Sequence, residues 1–159
     1  MDALFGIALI LHWFENPYAF GALVACAALL LSMLKRSYGL SFFVTVALTF
    51  ALTHSIKSLY KIARPDDALV IANGYRFPSM HASIAAAILT SLAWHWYFKT
   101  TQRLLRIGIV AGTSALIVFI GWTRILLQVH EVIDVLAGVA LGVSISLIFH
   151  YLMRRYKLE

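Results

Sequence analysis

The chain has 159 residues, of which 62% are hydrophobic and 13% charged, against roughly 25% charged residues in an ordinary soluble domain. Thirteen Lys and Arg with seven Asp and Glu cannot cover the surface of so apolar a chain, which excludes a soluble globular protein and points to a bilayer as solvent. The net charge of +6 lies mostly at the ends of apolar runs, where it serves membrane topology or anion binding and not nucleic acid.

A helix that crosses the hydrocarbon core needs about 20 apolar residues. The first run, residues 3–14, reaches only about 18 Å at 1.5 Å per residue, so a short first helix is expected before the break at Asn16 and Pro17. Asp2 stands where a secretory signal carries basic residues and no small-residue cleavage site follows, so the segment is expected to remain in the mature protein. The second run, 17–34, ends at Lys35 and Arg36 and contains Cys26. A single cysteine excludes an intramolecular disulfide and a zinc-finger type of metal site. The third run, 40–56, leads into a basic stretch that ends at Arg64 and Pro65, and the polar connection 65–78 follows. Runs 80–98, 104–122 and 132–153 complete the chain. Tyr18, Tyr38, Tyr60, Trp96, Tyr97, Trp122 and Tyr151 stand at run ends, as interfacial aromatics do. Neither repeats nor linkers interrupt the pattern. It predicts an all-α polytopic membrane protein, a bundle of six transmembrane helices with a short first one, in a single domain over 1–159.

Lys and Arg in short loops stay on the cytoplasmic side. Lys35, Arg36, Lys99, Arg103, Arg106, Arg154, Arg155 and Lys157 collect at one end of such a bundle, and Lys57, Lys61, Arg64, Arg76 and Arg124 at the other. The second end also holds every acidic residue except Asp2 and Glu159, together with His81 and His130. It is expected to face away from the cytoplasm, and ionisable groups gathered at the rim of an apolar bundle call for a function.

Lys57 and Arg64 are seven residues apart, two helical turns, which predicts one basic stripe with Lys61 between them, ended by Pro65. Taken alone, the stripe fits snorkelling to anionic headgroups. Pro78-Ser79-Met80-His81 precedes the fourth run directly, so Ser79 is the predicted N-cap, and the amides of Met80, His81 and Ala82 open an anion site at a helix N-terminus. Taken alone, this is also ordinary capping. His130 and Asp134 are i and i+4 at the start of the last run, and side chains lean toward a helix N-terminus, so Asp134 can reach back to one ring nitrogen. The other nitrogen is then a directed nucleophile or base, although an isolated pair of this kind also serves to link helices. Arg124 stands six residues before His130 and flanks the same place. Gly108 with Gly112, Gly138 with Gly142, and the small run Ala85, Ala86 and Ala87 predict close helix contacts.

Three cations, a helix N-terminus and two histidines suit a phosphate, which needs charge on its oxygens, a nucleophile at phosphorus and a proton for the leaving oxygen. Metal binding by His81, His130 and Asp134 is the rival chemistry, and Lys57, Arg64 and Arg124 oppose it by repelling a dication.

The ordered set Lys57-x6-Arg64-Pro65, Pro78-Ser79-Met80-His81 and Thr123-Arg124-x5-His130-x3-Asp134 resembles the type-2 phosphatidic acid phosphatase superfamily, in its membrane-embedded lipid phosphatase branch. The resemblance implies a six-helix bundle with its site at the outer leaflet of a bacterial inner membrane, facing the periplasm or the outside. It implies hydrolysis of a lipid phosphate through a phosphohistidine, with no metal or other cofactor. His130 would be the nucleophile, Asp134 its orienting partner and His81 the acid for the leaving group. Lys57, Arg64, Ser79, Arg124 and the Met80 amide would hold phosphoryl oxygens. The family commonly has Gly where Met80 stands and Ser where Thr123 stands; Thr keeps the hydroxyl, and Met80 adds apolar surface beside the phosphate. Candidate substrates within the family are undecaprenyl pyrophosphate, phosphatidylglycerophosphate, phosphatidic acid and the 1-phosphate of lipid A, with Tyr75, Arg76 and Phe77 as candidate headgroup contacts. A lipid-to-lipid phosphotransferase and a lipid-phosphate or anion transporter are the alternatives. The transporter lacks support from an internal repeat or a helix broken at mid-membrane. His12, His54, His95 and His150 match no motif and are read as structural, with His54 one turn before Lys57 and so beside the site.

Overall fold

The computed structural model describes residues 2–13 and 17–156, with side chains described for 5–10 and 21–156. Six helices run through them: α1 (Asp2–Trp13), α2 (Pro17–Leu34), α3 (Arg36–Tyr60), α4 (Met80–Lys99), α5 (Arg103–Leu126) and α6 (Val132–Arg155). Among the described residues there is no strand, so the all-α expectation holds. The predicted break at Asn16 lies outside them. Helices α3, α5 and α6 are long and apolar enough to cross a bilayer by length and composition. With 20 residues, α4 spans about 30 Å at 1.5 Å per residue, but its buried Ser83, Thr90, Ser91 and His95 dilute its apolar character. Those residues face other helices, because α4 is the central element and packs on α3, α5 and α6.

Small residues permit that packing. A Cβ on Gly138 would lie 2.6 Å from the Ser79 carbonyl oxygen, and one on Gly142 would lie 2.1 Å from the Ser83 carbonyl oxygen and 2.9 Å from the Ala86 Cβ. The glycine pair of α6 thus meets the small face of α4, as the spacing predicts. The pair on α5 does not behave this way: Gly108 and Gly112 are exposed, and a Cβ on either would meet nothing within 4 Å. Helix α5 approaches its neighbours by its other end, through buried Ile117, Gly121, Thr123 and Arg124, and leaves the glycine pair on a face where lipid is as good a solvent as protein.

Helix α3 contributes a buried stripe of hydroxyls, Ser41, Thr45, Thr49 and Thr53, in steps of four that end at Lys57. Ser41 donates to the Tyr38 carbonyl at 3.1 Å, and Thr45 to the Ser41 carbonyl and Thr49 to the Thr45 carbonyl, each at 2.8 Å, so these three hydroxyls are satisfied within the helix and present only small volume to α4 and α6. The apolar core of this half joins Val24 of α2, Phe42 and Val46 of α3 and Ile84 of α4. A second core lies under the 61–79 connection, where Ala8 of α1, Leu127 and Val129 pack against Ala68, Val70 and Ala72. At the end opposite to that connection, Lys35 covers the Tyr38 ring, Lys99 covers Trp96, Arg106 covers Tyr97 and Arg154 covers Phe98. This basic end therefore carries the paired cations and aromatics expected at a headgroup boundary.

Candidate active site

The first contribution comes from the end of α3. Its last helical residue is Tyr60, and Lys61 takes a left-handed conformation at φ 50° while its N–H donates to the Lys57 carbonyl. Arg64 therefore does not share a helical stripe with Lys57, contrary to the spacing argument. Pro65 disfavours helical geometry in the residue before it and has no N–H to continue a ladder, so the helix gives way earlier and Arg64 enters from the loop. The loop still aims it at the same place. Arg64 donates to the carbonyls of Gly74 at 3.2 Å, Asn73 at 3.0 Å and Val129 at 3.3 Å. Lys57, buried at the helix end, donates to the carbonyls of Tyr75 and Arg76.

Ser79 is the N-cap of α4, and its side chain accepts from the Ala82 N–H, as the Pro78-Ser79-Met80-His81 motif predicts. Its backbone N–H donates to the Asp134 carbonyl at 2.9 Å, which ties the start of α4 to the start of α6. Arg124 is completely buried; its Nε donates to Thr123 Oγ1 at 3.2 Å and its Nη2 to the Ala8 carbonyl at 3.1 Å. The short α1 thus helps fix a buried cation, a role no motif announces.

His130 lies in the turn between α5 and α6, outside the spanning helices, with Asp134 one turn along. Nδ1 of His130 is 3.5 Å from Oδ2 of Asp134, with both side chains 1% exposed. That is an ion-pair distance, with no hydrogen bond to Nδ1 formed among the described residues, from which the carboxylate favours positive charge on the ring once charge develops. In the resting protein burial acts first, followed by the positive charges of Arg64 and Lys57, then His81 and Arg124, and together these push the imidazole down to about 2 from its ordinary 6.5. A lowered value means the neutral ring persists as pH falls. The ring signal of His130, followed by NMR of histidine-labelled protein in detergent, is therefore expected to stay at its neutral position from pH 8 down to pH 5. A midpoint near the ordinary value would show that the cations do not reach it.

A cavity of about 750 Å³ is lined at one end by Lys57, Arg64, His81 and His130 and elsewhere by Leu23, Phe50, Met80, Ile84, Ile88 and Ile120, while Ser79, Arg124 and Asp134 are buried behind that end and do not line it. Met80, Ile84 and Ile88 recur every four residues and form one apolar face of α4, which runs from the polar end into the depth of the bundle. Of the three candidate headgroup contacts, Tyr75 lines the cavity. Arg76 pairs instead with Glu131 and Asp134, and Phe77 packs edge-on against Tyr60. His54 lines the cavity beside Lys57 and stacks on Phe50, while His95 and His150 are buried away from it, ring against ring, with centroids 4.9 Å apart.

A family model described as the PAP2 superfamily matches residues 38–157. The chain belongs to the PAP2 superfamily. Phosphatidylglycerophosphatase B of Bacillus subtilis (strain 168) is 36% identical to it over 92 residues, 55% of this chain and 44% of that relative, so the chain spans less than half the length of the curated relative it matches. Two solved structures share the fold, each at 21% identity. The first transmembrane PAP2 type phosphatidylglycerolphosphate phosphatase from Bacillus subtilis superposes with a TM-score of 0.83 over 98% of this chain and 79% of that one. Aquifex aeolicus LpxE superposes with a TM-score of 0.73 over 95% of this chain and 87% of that one. With its apolar helices, this PAP2 chain is a multi-pass membrane protein.

Sequence reasoning missed three parts of this PAP2 site. Glu131 carried no motif signal, although a carboxylate directly after His130, at the same end of the bundle as Arg76, is a pattern that charge pairing could have raised. The Ala8 carbonyl and the carbonyls of residues 73–76 leave no trace in side-chain patterns at all.

Proposed function

We propose that this protein is a lipid phosphate phosphatase that works through a phosphohistidine on His130. The observation that carries the reading is the shared cavity, in which His81, His130, Lys57 and Arg64 stand at one end of an apolar channel between helices. A phosphate headgroup fits the first part and a hydrocarbon chain the second. Lys57 and Arg64, which line that end, with the Met80 amide at the start of α4, take the phosphoryl oxygens, and Arg124 and Ser79, buried behind them, add positive charge and the helix N-terminus that offset the charge building in the transition state. The neutral His130 ring attacks phosphorus with the lone pair of Nε2, the nitrogen turned away from Asp134. The bond from phosphorus to the lipid oxygen breaks, and His81 gives that oxygen its proton. Asp134 stabilises the cationic ring so formed. Water then attacks the same phosphorus, His81 takes back a proton, the P–N bond breaks and inorganic phosphate leaves.

None of these steps uses a metal ion. The charge distribution favours a site on the non-cytoplasmic face of a bacterial inner membrane. The lipids to test are those with an accessible terminal phosphate: phosphatidylglycerophosphate, phosphatidic acid, undecaprenyl pyrophosphate and lipid A 1-phosphate, with Tyr75 as a headgroup contact.

The test is phosphate release in detergent with excess EDTA across these four lipids. Release by the wild-type protein, ranked by lipid, is the expected result. Release that EDTA stops would move His81, His130 and Asp134 to a metal site. Phosphate appearing on an added acceptor lipid in place of solution would make the protein a phosphotransferase.

A further inference from the structure

Asp134 is a carboxylate with 1% of its side chain exposed, and its Oδ1 is buried with no hydrogen-bond partner among the described residues. Its contacts therefore fall on Oδ2. That oxygen accepts from the Glu131 N–H at 2.8 Å and from Arg76 Nη1 at 3.4 Å, and it faces His130 Nδ1 at 3.5 Å. A carboxylate out of water needs a counter-charge to stay ionised, and Arg76 is the cation with its guanidinium on it. The same Nη1 also meets Glu131 Oε1, whose side chain is 58% exposed and closes the pair from the solvent side. The backbone fixes where this guanidinium stands: the Arg76 N–H donates to the Ile62 carbonyl at 2.9 Å, and its carbonyl accepts from Lys57 Nζ at 3.1 Å. With two carboxylates already on it, Arg76 is committed to the protein rather than to a headgroup.

We infer that Arg76 is a positioning residue which, braced by Glu131, holds the Asp134 carboxylate against Nδ1 of His130 and so fixes the tautomer that leaves Nε2 free to attack. The inference rests on the phosphohistidine reading for its catalytic consequence and on the Arg76–Asp134–His130 geometry for its structural one. The two are separable because a tautomer is measurable without substrate. Without Arg76, the Asp134 carboxylate keeps, among the described residues, the Glu131 N–H and the His130 ring as partners, and the ring is no longer bound to one orientation.

The experiment compares wild type, Arg76→Gln, Arg76→Lys, Glu131→Gln and the Arg76→Gln/Glu131→Gln double variant, each as full chain in detergent. The imidazole nitrogens of His130 are read by ¹⁵N NMR, assigned by loss of the signal in His130→Gln, and kcat and KM are measured on whichever of the four lipid phosphates is turned over fastest. The wild type is expected to show the Nδ1–H tautomer and Arg76→Gln a mixture of the two. Turnover by Arg76→Gln is expected to fall about a hundredfold, the size of effect that a misplaced catalytic group produces, with KM within about twofold. Arg76→Lys keeps the charge and is expected to recover at least about tenfold of that loss, and the double variant to be no worse than Arg76→Gln alone, because coupled groups do not add. A single tautomer retained in Arg76→Gln, or a raised KM with unchanged kcat, would overturn the inference, the second making Arg76 a headgroup contact. Losses that multiply in the double variant would also overturn it. A tautomer change in a protein that hydrolyses none of the lipids would support the clamp while removing the phosphatase reading.

Discussion

His130→Ala is expected to lower phosphate release by at least about four orders of magnitude while the protein stays folded. The reason is that the substitution removes the group proposed to form the bond to phosphorus, whereas its neighbours have other partners. Asp134 Oδ2 keeps the Glu131 N–H and Arg76, and Ser79 keeps the Asp134 carbonyl, so the joint between α4 and α6 does not depend on the imidazole. The ring is also uncharged at rest, since burial and four surrounding positive groups hold it neutral, and its loss leaves no ion without a partner. Size-exclusion and thermal unfolding profiles in detergent should therefore match those of wild type. Asp134→Asn is expected to be milder in turnover, because it weakens orientation and leaves the nucleophile in place. It should cost more in stability than His130→Ala, since Arg76 then loses its buried counter-charge. Wild-type turnover by His130→Ala would end the phosphohistidine mechanism.

The parts of this molecule that were legible in the sequence are those whose cause is local. Ser79 caps α4 because a hydroxyl can reach an amide three residues on, and the start at Met80 follows from that. His130 and Asp134 meet because His130 stands immediately before the Glu131 N-cap and Asp134 in the first turn of α6 reaches back over that cap. Gly138 and Gly142 pack because nothing else lets two backbones approach so closely. What escaped was set by partners distant in sequence. Whether a glycine pair faces protein or lipid depends on where neighbouring helices lie, and the same spacing gave a contact on α6 and open space on α5. The exit of α3 at Lys61 came earlier than Pro65 demanded, and Arg64 reached the site through carbonyls of residues 73, 74 and 129. Arg76 and Glu131 are 55 positions apart; they meet where the Ser79–Asp134 backbone bond joins the starts of α4 and α6.

That joint makes the second large effect a matter of packing and not of chemistry. Gly142→Leu is expected to abolish both the folded bundle and its activity, although residue 142 lies two turns below Asp134 and touches no phosphate-binding group. A Cβ there would stand 2.1 Å from the Ser83 carbonyl oxygen and 3.0 Å from the Ala87 backbone nitrogen, and backbone cannot swing aside as a flexible side chain can. Overpacking a tight core costs about 1–3 kcal/mol and at times more; here the obstacle is the main chain of the central helix, which places Gly142→Leu at the upper end. The only relief is to move α4 away from α6, which stretches the Ser91–Ser146 hydrogen bond of 3.0 Å below and the Ser79–Asp134 backbone bond of 2.9 Å above. A shift of about 1 Å there separates His81 from His130 by enough to cost about a hundredfold in rate, even in molecules that stay folded. Gly112→Ala is the control: its Cβ meets nothing within 4 Å, and Ala in a helix interior is favoured over Gly by about 1 kcal/mol, so that variant should unfold no lower than wild type and keep full activity. Detergent-solubilised yield, unfolding temperature and phosphate release measured side by side would decide it, and a folded, active Gly142→Leu would show that the α4–α6 contact is not the hinge on which the site is assembled.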